Sequence, residues 1–456
     1  MIDALELRNF RAFRREKFDF SKLNIFVGPN NSGKSSALSA LNVLAQTNSA
    51  GAIDTGPLVL NGDFDQLGTF KDAVHGGRAN TPMGFTVNTG SVHFDFEVKY
   101  RLQRRELYIQ KFRTFRDGRP VFDYISTSDR YDISIMGKSI EQLNLSQWKR
   151  RPRFRGFFPE YRFPFRFRDD DALSRNQQDI IREFERDMSR IRSSLMRLFH
   201  GFETISPFRI QPQRTYLTSG ETPSAIGQNG QNTVTLLASD ASKRGSEKFG
   251  YVDQVSKWLR VTGIASSLRV KHLTDRHFEI TVVGLDGTEH NICDVGFGVS
   301  QVLPVLTAGI RHALPSSQQA SHLRGSPILV VQEPEIHLHP NAQAELGTFF
   351  ASVARMPGQI FLETHSDSLV LRIARHVALG DLSPDDVRIF YVSPTEGGRE
   401  VTRMLVDESG AFEPDWPNDF FPQRQIESLE LARVSMANSV GAPVKQMDLF
   451  DFSRSK

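Results

Sequence analysis

Residues 28–36 read Gly-Pro-Asn-Asn-Ser-Gly-Lys-Ser-Ser, and no other stretch limits the possible folds so tightly. The spacing fits G-x-x-x-x-G-K-[ST], a loop that cradles phosphates. Gly28 and Gly33 let the backbone turn its N–H groups inward, with Asn30, Asn31 and Ser32 between them. Lys34 is placed to reach β- and γ-phosphates, and the Ser35 hydroxyl to ligate magnesium. The flanks agree with the motif. Leu23–Val27 is apolar and reads as a buried strand, and Ser36 to Ala45 reads as a helix. The helix N-terminus adds partial positive charge where phosphates would sit. A glycine-rich turn that binds nothing accounts for the glycines but not for the adjacent Lys and Ser.

The chain has 456 residues, enough for two or three packing units, and a formal net charge of +3, too small to argue for a partner. Cys293 is the only cysteine, so neither an intrachain disulfide nor a cysteine-based zinc site is expected, which fits a reducing compartment. The N-terminus lacks a basic region followed by an apolar core, and no run approaches the ~20 apolar residues that span a bilayer. The expected location is cytoplasmic, with no membrane partner.

Ahead of the loop, residues 2–7 alternate as a half-buried strand does, Arg8–Phe13 reads as a turn, and Lys17–Phe20 as a second strand. Gly62–Phe70 reads as a loop into a short helix. Residues 83–138 are strand-rich, with Val92, Phe94, Phe96, Val98 and Tyr100 alternating with polar residues, which predicts an antiparallel sheet. Residues 148–168 interleave Lys149, Arg150, Arg151, Arg153 and Arg155 with Phe154, Phe157 and Phe158, and prolines there forbid a continuous helix. The arginines suit phosphates and the aromatics suit bases. Aromatics packed on the neighbouring helix, with the arginines solvated or paired with acidic residues, are the plain alternative, and a protein-docking surface is a third. Residues 171–200 carry apolar side chains at spacings of three and four and predict one long helix, a short arm on the body. Lys248–Leu259 reads as a helix, and Ser267–Leu273 and His277–Val283 as strands.

Three later segments bear on the same chemistry. Asp294–Gln301 contains Gly296, Gly298, Ser300 and Gln301 ahead of an apolar helix, Val302 to Ala308. Glycines at a helix entrance present free N–H groups to an anion. Pro327–Val331 is an apolar strand running into Gln332-Glu333-Pro334-Glu335, where carboxylates can hold magnesium and polarise water. His337 and His339 lack an evident third ligand, so no metal is assigned to them. Gln359–Glu363 is a further buried strand ending in Thr364-His365-Ser366, where Ser366 or Asp367 can cap a helix from Ser368 to Val377.

In this order the loop, the Gly296–Gln301 segment, the acidic strand end and the Thr-His-Ser turn resemble the ABC-like ATPase heads of the RecF, SMC and OLD (overcoming lysogenization defect) group. The wording of Asp294–Gln301 is similar to a defence-associated branch near OLD-type and Septu-type ATPases. The resemblance covers residues 1–40 and about 290–395. It implies an α/β P-loop NTPase of ABC head type, with a mixed sheet, an antiparallel β lobe and an inserted helical, basic segment. ATP and Mg2+ are the implied cofactors, sandwiched between two copies, with Gly296, Gly298, Ser300 and Gln301 binding the γ-phosphate held by the other copy. Glu333 would be the base or water-orienting residue, His365 the switch at the γ-phosphate, and His337–His339 the loop facing the partner. Arg8–Phe13 would lie near the adenine, and Gln66 could sense magnesium. Gln332 departs from the family by standing where an acid is usual, which implies slow turnover. A separate nuclease or effector is implied, since no nuclease pattern follows the ATPase.

The expected divisions are 1–145, an ATPase lobe with the antiparallel sheet; 146–205, the basic-aromatic segment and helical arm; 206–400, the second ATPase lobe; 401–435, a C-terminal element around Asp415–Phe421; and 436–456, a flexible tail. In that tail Gln446-Met447-Asp448-Leu449-Phe450 resembles the pentapeptide by which bacterial proteins dock on the DNA sliding clamp. Gln446 and Asp448 would face polar groups, while Leu449 and Phe450 would fill an apolar pocket. A tail helix packing on its own core is the plain alternative. The rivals to a DNA-surveillance, repair or anti-phage ATPase are a non-hydrolysing ATP-dependent scaffold, a transporter ATPase and a DNA-binding protein with a vestigial site.

Overall fold

The computed structural model describes residues 1–49, 56–127, 130–160, 173–218, 220–245, 248–314, 327–396 and 398–416. The chain opens with β1 (Ala4–Phe10), β2 (Phe13–Asp19) and β3 (Leu23–Val27), then α1 (Lys34–Ser49) and the short α2 (Phe70–Ala73). Next come β4 (Met83–Thr89), β5 (Val92–Arg101), β6 (Glu106–Arg116), β7 (Arg119–Ser126), β8 (Tyr131–Ile135) and β9 (Lys138–Ser139). A small hairpin, β10 (Phe154–Arg155) and β11 (Phe158–Pro159), precedes α3 (Arg175–Leu198). Then follow β12 (Glu203–Ile205), β13 (Tyr216–Leu217), α4 (Thr233–Ala241), α5 (Tyr251–Val261), β14 (Ser267–His272), β15 (His277–Val283) and β16 (Glu289–Asn291). The last part runs α6 (Phe297–Ala313), β17 (Ile328–Gln332), α7 (Pro340–Ala354), β18 (Gln359–Glu363), α8 (Asp367–Ala378), β19 (Val387–Thr395), β20 (Gly398–Val406) and β21 (Phe412–Glu413).

The central sheet has the order β12-β17-β18-β3-β19-β20-β21. It is parallel from β12 to β19, and β20 and β21 close it antiparallel. Its central strands are covered on both faces, which is why they are mostly apolar, with Asn24 in β3 and Arg388 in β19 as polar interruptions. Alternation still sorts their side chains. Phe26, Phe361, Ile328, Val330 and Phe390 enter one core with the antiparallel sheet and α1. Ile25, Val27, Leu329, Val331, Ile360 and Leu362 enter the other, with α6, α7 and α8.

The antiparallel sheet runs β2-β1-β4-β5-β6-β7-β8-β9 and is joined to the central one through shared aromatics, Phe18 against Phe26 and Phe390. Gln359, at the base of β18, accepts from the Ile2 N–H at 2.9 Å and donates to the carbonyls of Ile2 and Ser21 at 2.8 Å each. This mixed α/β P-loop architecture with an antiparallel lobe is the one expected.

The differences from expectation are local. β1 continues through Phe10, so the turn shrinks to Arg11 and Ala12. Arg8 points into the sheet, paired with Asp95 and bonded to Thr86. α6 starts at Phe297 rather than Val302, because Gly296 is its N-cap, so Gly298, Ser300 and Gln301 belong to the helix. α3 is not a projecting arm. Ile181, Phe184, Ile191, Leu195 and Leu198 are buried, with the Phe184 ring 5.7 Å from that of Phe122 on β7.

In the basic-aromatic segment, Phe157 stacks on Phe94 and Phe96, and Phe154 packs on Phe112 and Tyr124. These described rings are core, not free platforms for bases. Arg151 donates to Ser126 Oγ at 2.6 Å, while Arg150, Arg153 and Arg155 are exposed. Trp416 packs on Phe412, so the start of the Asp415–Phe421 element is an aromatic anchor. Gln446, Asp448, Leu449 and Phe450 lie outside the described residues.

Candidate functional site

The parallel strands β3, β17 and β18 end together, and ligands of open α/β sheets bind at such strand ends. β3 delivers the phosphate loop and α1. Gly28 has φ +138°, and a Cβ there would meet the Val392 carbonyl oxygen at 2.1 Å. Gly33 has φ +110°, and its Cβ would meet that of Ala12 at 2.8 Å, which places the Arg11–Ala12 turn directly against the loop. Asn31, with φ 60°, gives its carbonyl to Arg399 Nη2 from β20 at 3.0 Å.

The Lys34 ammonium is buried and donates to the carbonyls of Gly28 at 3.0 Å and Pro29 at 2.9 Å. Burial pushes it below its ordinary pKa, while Glu363, Glu333 and Glu335 pull the other way. The Ser32 hydroxyl is buried without a partner among the described residues. Ser35 Oγ donates to Glu363 Oε1 at 2.7 Å, and Ser36 is buried in the first turn of α1.

β17 ends at Gln332, whose Nε2 donates to Glu363 Oε2 at 2.9 Å. Glu333 follows with φ 46°, a left-handed conformation that costs a non-glycine residue about 1–2 kcal/mol. Its N–H donates to the Glu363 carbonyl at 2.7 Å. Arg209, from the loop after β12, donates to the carbonyls of Gln332 and Glu333 at 2.9 Å each. Burial pulls Arg209 down to about 10 against the attraction of Glu335 and Glu333.

Glu335 is buried, and burial raises its carboxyl above the usual range. Its Oε1 accepts the His365 N–H at 2.6 Å. The His365 ring reaches solvent, yet partial desolvation and then Lys34 hold it below its ordinary pKa, against Glu363. Ser366, not Asp367, caps α8 by accepting from the Leu369 N–H at 3.1 Å.

Lys34, Ser35, Gln332, Glu333 and His365 are thus gathered at one end of the central sheet. The Gly296–Gln301 segment stands apart, against the turn after β17. A Cβ at Gly298 would lie 2.7 Å from the His337 carbonyl, and the exposed Phe297 ring is 6.1 Å from that of His337. Ser300 Oγ donates to the Phe297 carbonyl at 2.9 Å, and Gln301 is buried. His339 caps α7. Gln66 lies in the 61–66 turn, its side-chain amide 3.4 Å from the Gly62 carbonyl. Sequence reading gave no role to Glu363 or Arg209, and gave Glu335 only a share in the acidic strand end, not its bond to the His365 N–H. For Glu363 the signal was present: an apolar strand ending in an acid, one residue before Thr-His.

The donor set fits a nucleotide with a divalent cation. It offers a loop of inward N–H groups, an ammonium bonded to two carbonyls, a Ser32 hydroxyl without a partner among the described residues and a Ser35 hydroxyl on the Glu363 carboxylate. Among the described residues no helix is long and apolar enough to cross a membrane.

No curated protein matches the chain. Solved structures that resemble it include an SMC head bound to the C-terminal winged-helix domain of ScpA, at 12% identity, 90% and 98% coverage of the two chains and a TM-score of 0.40. Others are the SMC head domain from Thermotoga maritima, at 10% identity, 88% and 98% coverage and 0.35, and a Pyrococcus furiosus SMC head with an extended coiled coil bound to the C-terminal domain of ScpA, at 10%, 95% and 99%, and 0.39. The fold assignment rests on strand order and loop geometry rather than on these superpositions. The profile of the family described as "AAA domain, putative AbiEii toxin, Type IV TA system" matches residues 23–372, from the strand before the phosphate loop to the middle of α8, and the chain belongs to that AAA ATPase-domain family.

Proposed function

We propose that this chain binds ATP with Mg2+, sandwiches it between two copies and hydrolyses it slowly, and that the resulting conformational change gates a separate effector. The observation that carries the reading is the convergence of Lys34, Ser35, Glu333 and His365 at the ends of three adjoining parallel strands. Lys34 would exchange its carbonyl partners for phosphate oxygens. Glu333, poised by its backbone, would orient and deprotonate the attacking water. A neutral His365 would hydrogen-bond the terminal phosphate. Magnesium, when bound, would neutralise phosphate charge as it develops.

The exposed pair Phe297 and His337, beside Gly296 and Gly298 at the start of α6, supports a second copy docking there. The family's description as a putative toxin of a toxin–antitoxin system supports a defensive setting over transport. DNA, reached through Arg150, Arg153 and Arg155, a nuclease partner, a sliding clamp engaged by 446–450, and a cytoplasmic location remain parts of the proposal. Gln332 favours a second reading, an ATP-dependent scaffold with little turnover. Steady-state phosphate release with and without DNA separates the two. Size measurement of Glu333→Gln with ATP tests the sandwich, and finding only monomer would count against it.

A further inference from the structure

We infer that Glu363, on β18, carries the metal-facing carboxylate that β17 lacks at Gln332, and that Gln332 serves to hold it. This rests on the ATP–Mg2+ reading above and names a residue within it.

β18 lies between β17 and β3, and Gln332 and Glu363 are register partners at the strand ends. A carboxylate on β18 is therefore one strand nearer the phosphate loop than a carboxylate on β17 would be. Both oxygens of Glu363 are already aimed. Oε1 accepts from Ser35, the loop hydroxyl expected to face the metal, at 2.7 Å. Oε2 accepts from the Gln332 amide at 2.9 Å.

The side-chain types are matched. Glu363 is almost fully buried, so an acid at 332 would place two carboxylates in contact with little solvent to separate them. An amide there donates instead, fixing the carboxylate without repelling it. The apparent defect at Gln332 is thus one half of a pair whose charge sits on the neighbouring strand. Glu363 also attracts the Lys34 ammonium, ahead of Glu333 and Glu335.

The test uses the full chain and a fluorescent ATP analogue, titrated with and without Mg2+. Wild type should bind more tightly with the metal. Glu363→Gln should lose about tenfold or more of the metal-dependent gain, read as the ratio of its own affinities with and without Mg2+, the size expected for removing a group that supports a bound metal. The swap Glu363→Gln with Gln332→Asp, which moves the carboxylate one strand over, should recover part of it. Mn2+ resonance in the presence of ATP should follow the same order without recourse to turnover, and Glu363→Ala should show the same loss where Glu363→Gln folds poorly. Full metal dependence in Glu363→Gln or Glu363→Ala would overturn the inference and leave the ATP reading intact. A wild type that binds no analogue, with or without metal, would overturn both.

Discussion

Glu335 Oε1 accepts the backbone N–H of His365 at 2.6 Å, one hydrogen bond joining the turn after β17 to the turn after β18. The two turns carry Glu333 and His365, and this bond, with that from the Glu333 N–H to the Glu363 carbonyl, ties their backbones together. Burial holds the Glu335 carboxyl above the usual range, so the folded state keeps its proton more tightly than the unfolded chain. Raising pH from the ordinary carboxylate value up through the raised one therefore removes stability. Glu335→Gln has no such titration. The melting temperature of wild type minus that of Glu335→Gln should fall across that window. A flat or rising difference would contradict the assignment.

Lys34→Ala removes the ammonium bonded to the loop carbonyls of Gly28 and Pro29. Charge-assisted hydrogen bonds of about 1.5–3 kcal/mol would be lost, roughly 10- to 150-fold in affinity for ATP analogues. Equilibrium titration measures it, and thermal unfolding shows whether the fold survives.

Glu333→Gln should keep nucleotide binding and slow hydrolysis by about 10²- to 10⁴-fold, the usual loss when a general base is neutralised. Single-turnover phosphate release reads this directly. Unchanged rates would move the base to another residue.

Gly28→Ala would drive a Cβ into the Val392 carbonyl at 2.1 Å from a backbone with φ +138°. Overpacking of this kind costs about 1–3 kcal/mol, and the strained dihedral adds to it. Denaturant unfolding should show the loss without any nucleotide present.

Phe157→Ala separates core from binding surface in the basic-aromatic segment. Phe157 is buried between β5 aromatics, so truncation should cost about 3–5 kcal/mol. Arg150→Glu with Arg153→Glu changes only exposed side chains and should leave stability nearly unchanged. Loss of DNA binding in the arginine variant alone would assign the contact to charge.

Much of this was legible in the chain. Leu23–Val27 reads as a strand to the residue because four of its five residues are apolar and it lies between Ser21-Lys22 and the Gly28-Pro29 turn. The Lys34–Ser35 pair at a helix start is local chemistry and needs no tertiary knowledge. What could not be read depended on which strands are neighbours. Glu363 showed as an acid ending an apolar strand, but its pairing with Ser35 and Gln332 needed β18 to be found between β17 and β3. The rings of residues 154–158 could not be told from a nucleic-acid platform until Phe94, Phe96 and Phe112 were found beneath them. The early start of α6 reflects Gly296 acting as its cap, where glycines had suggested an open loop.

The left-handed backbone of Glu333 sets evolvability against chemistry at a single position. Glycine or asparagine would occupy that dihedral with less discomfort. Laboratory selection for heat resistance alone should therefore drift toward those residues at 333 and yield hardier proteins with an inert centre, whereas selection that also demands turnover should retain the acid and gain its robustness elsewhere.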